Sequence, residues 1–561
     1  LIGARTDSYV DSPDHLGTDT GKGGEVSGNY PTFNSLIAGP TYNHGNLYIE
    51  GDGNTGYYNV IARASMMLPL TGKYAFEFYC LNPDGTGSPG RRDSIGIFDT
   101  TKHANNYITN VANSIGFQSF NGNAVVDEST VQSGIGAWDK DDVAMCAIDC
   151  ATGKVWFGVN GSWTGDPAAG TGQATTLTNN GFLAFAHGNV HNVTNSGYTS
   201  KGYANFGQRP FAYTLPSGFK ALCSTNLPNP TIVKPNTVFD TVLWAGGDSQ
   251  KSLGFSPDMV WTKRRNATGG GSVIDRARGD SKYWETWNNA QEQTDSNILT
   301  LDSDGFTPGT TLPSGSSNVT WCWDCGASAA TASTAGSTNA QASWVNADAG
   351  FSMTLWEGTG SATTVGHSLG VKPDLIITYS REYTTHKSVY HSSQGAGKAF
   401  CLDKEWAAFT PNPITAAWNN TEPTTSVFSV GTYNSNNSNG NDMIAYCWAS
   451  KAGYSKIGSY AGGGFPYIDC GFRPKWLLIK SATQDYSWHI IDSERNPFNG
   501  TSDLRLKSDL DAAEVTGSHN MVDFTANGFK LTHSDNNWNT SGQTFIYAAF
   551  AESPAKYSRA F

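Results

Sequence analysis

Short apolar runs separated by turn residues fill the chain from about residue 41 onward. KYAFEFYCL (73–81), DSIGIFD (93–99), NSIGFQSFNG (113–122), GFLAFA (181–186) and ANFGQRPFAYTLPSGFKAL (204–222) read as strands bounded by Gly, Asn, Asp or Pro. The clearest element is a hairpin. Val143, Met145 and Ala147 alternate up to the turn Ala151-Thr152-Gly153-Lys154, and Val155, Phe157 and Val159 alternate away from it. Cys146, Ile148 and Trp156 make the opposite face apolar too, so the hairpin is expected inside a sandwich with both faces covered. Residues 1–40 carry Gly, Asp and Pro without periodicity and read as an extended arm or linker, with the sandwich over 41–225.

Three prolines in NLPNPTIVKP (226–235) block a strand ladder and mark a boundary. Beyond it the chain repeats itself. LGFSPDMVWTK (253–263), LGVKPDLIITY (369–379) and CGFRPKWLLIK (470–480) share a Gly, a Pro three positions on and then an apolar strand. A second strand bearing an acid or His follows each: SVIDRARGD (272–280), KSVYHSSQG (387–395) and SWHIIDSERN (487–496). Each unit closes on an aromatic strand, SSNVTWCWDCGAS (316–328), NGNDMIAYCWAS (439–450) and SGQTFIYAAFAES (541–553). From Gly254 to Trp323, Gly370 to Trp448 and Gly471 to Phe550 the separations are 69, 78 and 79 residues. These markers predict three copies of one β domain, at 238–328, 351–450 and 454–553, with a C-terminal tail at 554–561. The small-residue tract ASAATASTAGSTNAQAS (327–343) reads as a flexible linker, so the first copy is expected to be looser than the abutting second and third. The fold class is therefore all-β, a chain of tandem β-sandwiches.

Composition agrees with strands and turns: 63 Gly, 17 Trp, 24 Tyr and 27 Phe accompany only 15% charged residues. A net charge of −12 lacks the basic footprint of a nucleic-acid binder. No run approaches the roughly 18 apolar residues of a membrane helix, so no membrane insertion is expected. The chain opens on Leu1 in place of Met, as a trimmed precursor or the C-terminal part of a longer protein would. Nine cysteines scattered within strands read as buried thiols without a disulfide framework.

Candidate chemistry is thin. Gly366-His367-Ser368-Leu369-Gly370 matches a nucleophile elbow in letters, but a β run and not a helix follows it. Cys322-Trp323-Asp324-Cys325 has no partner pair, and its counterparts YCWAS and YAAFA lose the thiols one by one. The eleven histidines show no chelating pattern, and no cofactor is expected. Acidic loops at Asp52, Asp139 and Asp302 could offer oxygens to Ca²⁺ but read first as turns, since none completes a calcium loop. No carboxylate pair is nominated for glycoside hydrolysis. Trp287 in TWNNAQ, Trp418 in AAWNNTE and Trp538 in DNNWNTSGQ lie among amides, as aromatics that stack on sugars or protein surfaces do, and are the candidate ligand contacts.

The hairpin DCATGKVWFGVNGSW together with ANFGQRPFAYTLPSGFKAL resembles, over about 41–222, the SPRY-like sandwich of tailed-phage virion proteins, particularly marine ones. The triple repeat with its G-[FV]-x-P-[DK] starts, and the ending IYAAFAESPAKYS, looks like an uncharacterised domain that follows that sandwich in phage structural or tail-fibre-like proteins. The first copy departs in its shorter middle and doubled Cys. The resemblance implies a non-enzymatic virion protein, a tail or head fibre that is assembled in the host cytoplasm and exposed on the particle. Its implied partners are other virion proteins, further copies of itself, a trimer being one assembly the resemblance allows, and a host-surface glycan or protein. A capsid-decorating protein and a virion-borne polysaccharide depolymerase are the alternative expectations. The resemblance carries over no catalytic residue.

Overall fold

The computed structural model describes residues 19–554 apart from 27, 38–39, 51–60, 82–92, 101–106, 180, 182, 190–200, 312, 327–331, 498, 501–502 and 518. Two compact units emerge, one of 1–230 with 467–471 and 555–561, the other of 231–466 with 472–554. Both are all-β, and the helices are single turns such as Asn434–Asn437 and Asn536–Asn539. No helix among the described residues is long and apolar enough to cross a membrane.

The N-terminal unit is a two-sheet sandwich. One sheet runs Thr41–Asn43, Tyr48–Glu50, Lys201–Asn205, Lys73–Cys80, Val143–Asp149, Lys154–Val159 and Ser162–Trp163. The other runs Ile61–Arg63, Leu183–Asn189, Asp93–Asp99, Ile115–Gln118, Ala124–Val126 and Ser129–Gln132. Phe76, Phe78, Cys146 and Phe157 from the first sheet meet Ile95, Ile97, Phe117 and Phe185 from the second in the core. The predicted hairpin is present, with Lys154 opposite Asp149 and Val159 opposite Ala144, but its faces are divided differently from the reading: Cys146 and Ile148 pair with Phe157 and Val155 on the core face, and Trp156 stands opposite Ala147 on the outer one. Its second face is covered as well: Ala147 and Trp156 pack with Phe211, Leu215 and Phe219 of the segment that returns across the sheet. The expected arm over 1–40 is corrected for its described part. Phe33 lies in the core and bridges Ala64, while Gly24 N–H donates to the Gly207 carbonyl, because Val26, Phe33 and Ile37 need burial as any apolar side chain does. Residues 1–18 lie outside the described residues.

In the second unit each copy is a six-stranded sheet backed by a small one. The corresponding central strands are Ser317–Trp323, Asp442–Trp448 and Thr544–Pro554. Each is flanked by the Pro-led strand, Met259–Arg264, Leu375–Ser380 or Phe472–Ser481. Pro257 and Pro373 precede their strands, but Pro474 lies inside its own, where the register shifts around it, as a residue without an N–H requires. The second copy adds an edge strand, Ala342–Asn346, so it begins earlier than residue 351.

The three copies close on one another in a cycle. Tyr446 OH of copy two donates to Asp275 of copy one (2.6 Å), His391 of copy two meets the Tyr547 carbonyl of copy three (3.3 Å), and Trp321 of copy one donates to Asp492 of copy three (2.9 Å). Asp275, His391 and Asp492 occupy matching positions in the repeat, as do Trp321 and Tyr446, while Tyr547 stands one residue before their counterpart Ala548. The loop after the fifth strand of each copy docks in the same cyclic sense, where the N–H groups of Glu292, Ala408 and Glu514 donate to the carbonyls of Arg381, Ala482 and Arg265. One buried lysine serves each interface: Lys387 on the Asn288 carbonyl, Lys480 on Glu405 and Lys263 on Leu510, and burial lowers each ammonium to about 8. Trp323, Trp448, Trp476 and Phe550 converge where the copies meet, around an apolar cavity of about 20 Å³.

This closure corrects two expectations. The first copy is bound to both others as they are to each other. Of the supposed linker, residues 327–331 lie outside the described residues, but the rest is ordered: Thr338 bridges Val365, Ser337 N–H donates to Thr364, and Ala342 already begins a strand. Small side chains here permit close packing, as Ser333 and Ala335 against Gly366 show.

Candidate functional site

The three candidate tryptophans do not form a surface. Trp538 is 0% exposed, packed against His489 at 4.5 Å beneath the Arg505 guanidinium, and Trp418 is 1% exposed in the core of copy two beside Tyr390. Trp287 is half-buried in the docking loop of copy one, with its indole N–H turned inward. The surrounding amides make turns that bury the rings. Asn419 and Asn420 take left-handed φ values of 50° and 47°, and Asp535 accepts from Asn537 N–H to start the turn that carries Trp538. The reading of Trp418 and Trp538 as ligand contacts is therefore corrected.

The acidic loops are occupied by their own turns. Asp142 accepts from Asp139 N–H and from Asn160, and Asp302 accepts from Thr307. No His, Cys, Asp and Glu cluster able to hold a metal occurs among the described residues, and Asp52 lies outside them. Cys322 is core and Cys325 lies at the carbonyl of Phe351. All nine cysteines are buried and none is in a disulfide. Ser368 has φ 61°, but the neighbouring His367 ring is taken by the Thr424 carbonyl and Leu369 N–H, and a strand follows.

A surface the sequence did not single out lies on the outer face of the larger sheet of the sandwich. Half of that face is closed by the returning segment 211–221 over Ala75, Ala147 and Trp156. On the other half Tyr203 stands directly opposite Tyr48 on one neighbouring strand and Tyr79 on the other, so three phenol rings share one face in one row. All three are half-exposed, and His44 beside them is exposed. Tyr203 lies 5.1 Å from Tyr48 and 5.5 Å from the His44 ring, whose plane is within 7° of its own. The Arg209 guanidinium sits 5.9 Å from the Tyr203 ring.

Every hydroxyl of the row is held. Tyr203 OH shares a 2.9 Å hydrogen bond with His44 Nδ1, Tyr48 OH donates to Glu50 (3.1 Å) and Tyr79 OH to Asp141 (2.8 Å). Lys201 Nζ pairs with Glu50 at 2.6 Å. The bond to Asp141 raises the Tyr79 phenol, burial followed by Glu50 raises Tyr48, and the Lys201 bond lowers Glu50, so near neutrality Tyr79 and Tyr48 are uncharged and Glu50 is ionised. Flat apolar rings bordered by fixed donors and acceptors can stack on a sugar ring and bond its hydroxyls. In sequence these residues lie in LYIE, FEFYCL and GYAN, each a routine strand, and only the pairing of segments more than a hundred residues apart assembles them.

In the second unit the missed residues are structural. Arg278 and Arg495 are fully buried and bind Asp275 and Asp492, each at 2.7 Å. Glu292 and Glu514 each hold two arginines, one from their own copy and one, Arg381 or Arg265, from the next. The repeated D-x-x-R in DRAR and DSER is the sequence signal for this.

Residues 234–554, more than half of the chain, match the family described as a domain of unknown function, DUF7483. The chain belongs to that family, whose single domain takes in all three copies. A search of curated protein sequences finds no match. Among solved structures the chain is similar to the SPRY domain of human HERC1, at 12% identity over 31% of this chain and 91% of that one, with a TM-score of 0.22. It is also similar to a human SPRY domain, at 12% identity over 30% and 96%, with a TM-score of 0.21.

Proposed function

We propose that this protein is a non-enzymatic surface-binding protein whose N-terminal sandwich takes a glycan on the face of Tyr48, Tyr203 and Tyr79. The observation that carries the reading is the in-register row of three half-exposed tyrosines on the part of the sheet that segment 211–221 does not close. Strands lie about 4.8 Å apart, so the row spans about 10 Å, room for an extended chain of sugars and not only a terminal one. The setting proposed for this binding is a phage appendage, a tail or head fibre meeting the host surface, as the resemblance of the repeats and the hairpin suggests. Self-association and attachment to other virion proteins belong to the same proposal.

Binding of the purified chain to intact candidate host cells tests this, with heat-denatured protein as control and released reducing sugar assayed in the same tubes. The expected result is binding without sugar release, weakened about tenfold by Tyr203→Ala, the loss of about 1.4 kcal/mol. Sugar release, or undiminished binding by the variant, overturns the proposal.

A further inference from the structure

The docking loops of the three copies are equivalent by their shared hydrogen bond, and two residues before it stand Ala290, Trp406 and Ala512. Copy two thus breaks the repeat by placing a tryptophan where the others have a methyl group. That tryptophan is 44% exposed, although a ring of this size is normally mostly covered. Its loop is firmly held. The Glu405 carbonyl accepts from Lys480, Glu405 Oε1 accepts from Ser487 at 2.7 Å, and Ala407 N–H donates to Asp485 at 2.8 Å.

Polar groups ring the indole. His386 meets it edge-on at 5.1 Å, and the buried Asp403 accepts from His386 Nδ1 (2.7 Å) and from Lys387 N–H (3.0 Å). That carboxylate fixes the imidazole and leaves Nε2, on the opposite edge of the ring, for another partner. Lys404 Nζ lies 6.0 Å from the indole, and no salt bridge engages it among the described residues. Asp403, Glu405 and Asp485, the nearby acids, each accept from a neighbouring protein group. The uncommitted polar groups beside the exposed ring are therefore the Lys404 ammonium and the His386 Nε2 acceptor.

We propose that Trp406, Lys404 and His386 form a second carbohydrate site, selective for a carboxylate-bearing sugar. The sugar ring stacks on the indole, its carboxylate meets Lys404 Nζ, and one of its hydroxyls donates to His386 Nε2. A protein partner is the poorer fit, because a stable interface buries roughly 800 Å² a side around an apolar centre. Here one ring is bordered by charge. The site uses residues and a unit different from those of the tyrosine face, so each can fail without the other.

Calorimetric titration of the full chain with tetragalacturonate, tetraguluronate and their methyl esters tests the site. The expected result is binding of at least one acid, about tenfold weaker for its ester and for Trp406→Ala, partly restored in Trp406→Tyr, weaker in Lys404→Met and unchanged in Tyr203→Ala. No binding of either acid, equal binding of acid and ester, or undiminished binding by Trp406→Ala overturns it. Trp406 is exposed and its loop is held by other groups, so the variant should keep the wild-type melting temperature.

Discussion

Trp538 and Trp418 sit in Asn-rich stretches, and each is closed over by the turn those asparagines make. Local polarity around an aromatic thus reports the turn, not the exposure of the ring, which explains why these residues were legible as unusual but not as core. Trp538→Ala should lower the unfolding free energy by about 3–5 kcal/mol in urea titration while leaving cell binding intact below the transition. The buried Arg278 is a different case, since its removal strands Asp275 and one side of Glu292. Arg278→Met should cost about 3–5 kcal/mol by the same measurement, and a loss below 1 kcal/mol would show that the network is not holding the copies. The D-x-x-R spacing was readable from sequence, but its partners were not, because Tyr446 and Trp321 come from other copies.

Elements with strict alternation or continuous apolar runs were legible nearly to the residue, as Asp93–Asp99 and the pair Val143–Asp149 and Lys154–Val159 show. Even the covering of the hairpin's outer face could be foreseen, because that face is apolar. The turn is equally specific. Gly153 has φ 73°, and a Cβ there would lie 1.8 Å from the Leu177 carbonyl. Gly153→Ala should therefore lose more than the roughly 1–2 kcal/mol of a left-handed residue, seen as a lower thermal midpoint of the sandwich. The tyrosine face was not legible, since strand order and register decide it, and neither is written within any one strand. The small-residue tract failed for a related reason: composition predicts flexibility only where nothing packs on it, and here a strand does.

Three copies were evident in the repeat, yet their closure into one unit rests on side chains that differ between copies. Asp275, His391 and Asp492 occupy one position and serve three different partners. His391 gives that closure a pH signature. Burial lowers its imidazole from 6.5 to about 4, so the unfolded chain binds the proton first. Its contribution is complete above pH 6.5 and is lost as pH falls from there towards 4, by about 1.4 kcal/mol per pH unit. Urea midpoints at pH 7.5 and 5 should differ less in His391→Gln than in the wild type, and an equal difference would place the acid sensitivity elsewhere. Glycan binding by the tyrosine face can be read by calorimetric titration of the full chain with polysaccharide purified from a bound host surface. Saturable binding is expected, which Tyr48→Ala and Tyr203→Ala each weaken about tenfold without changing the melting temperature. Equal affinity in the wild type and both variants would contradict it.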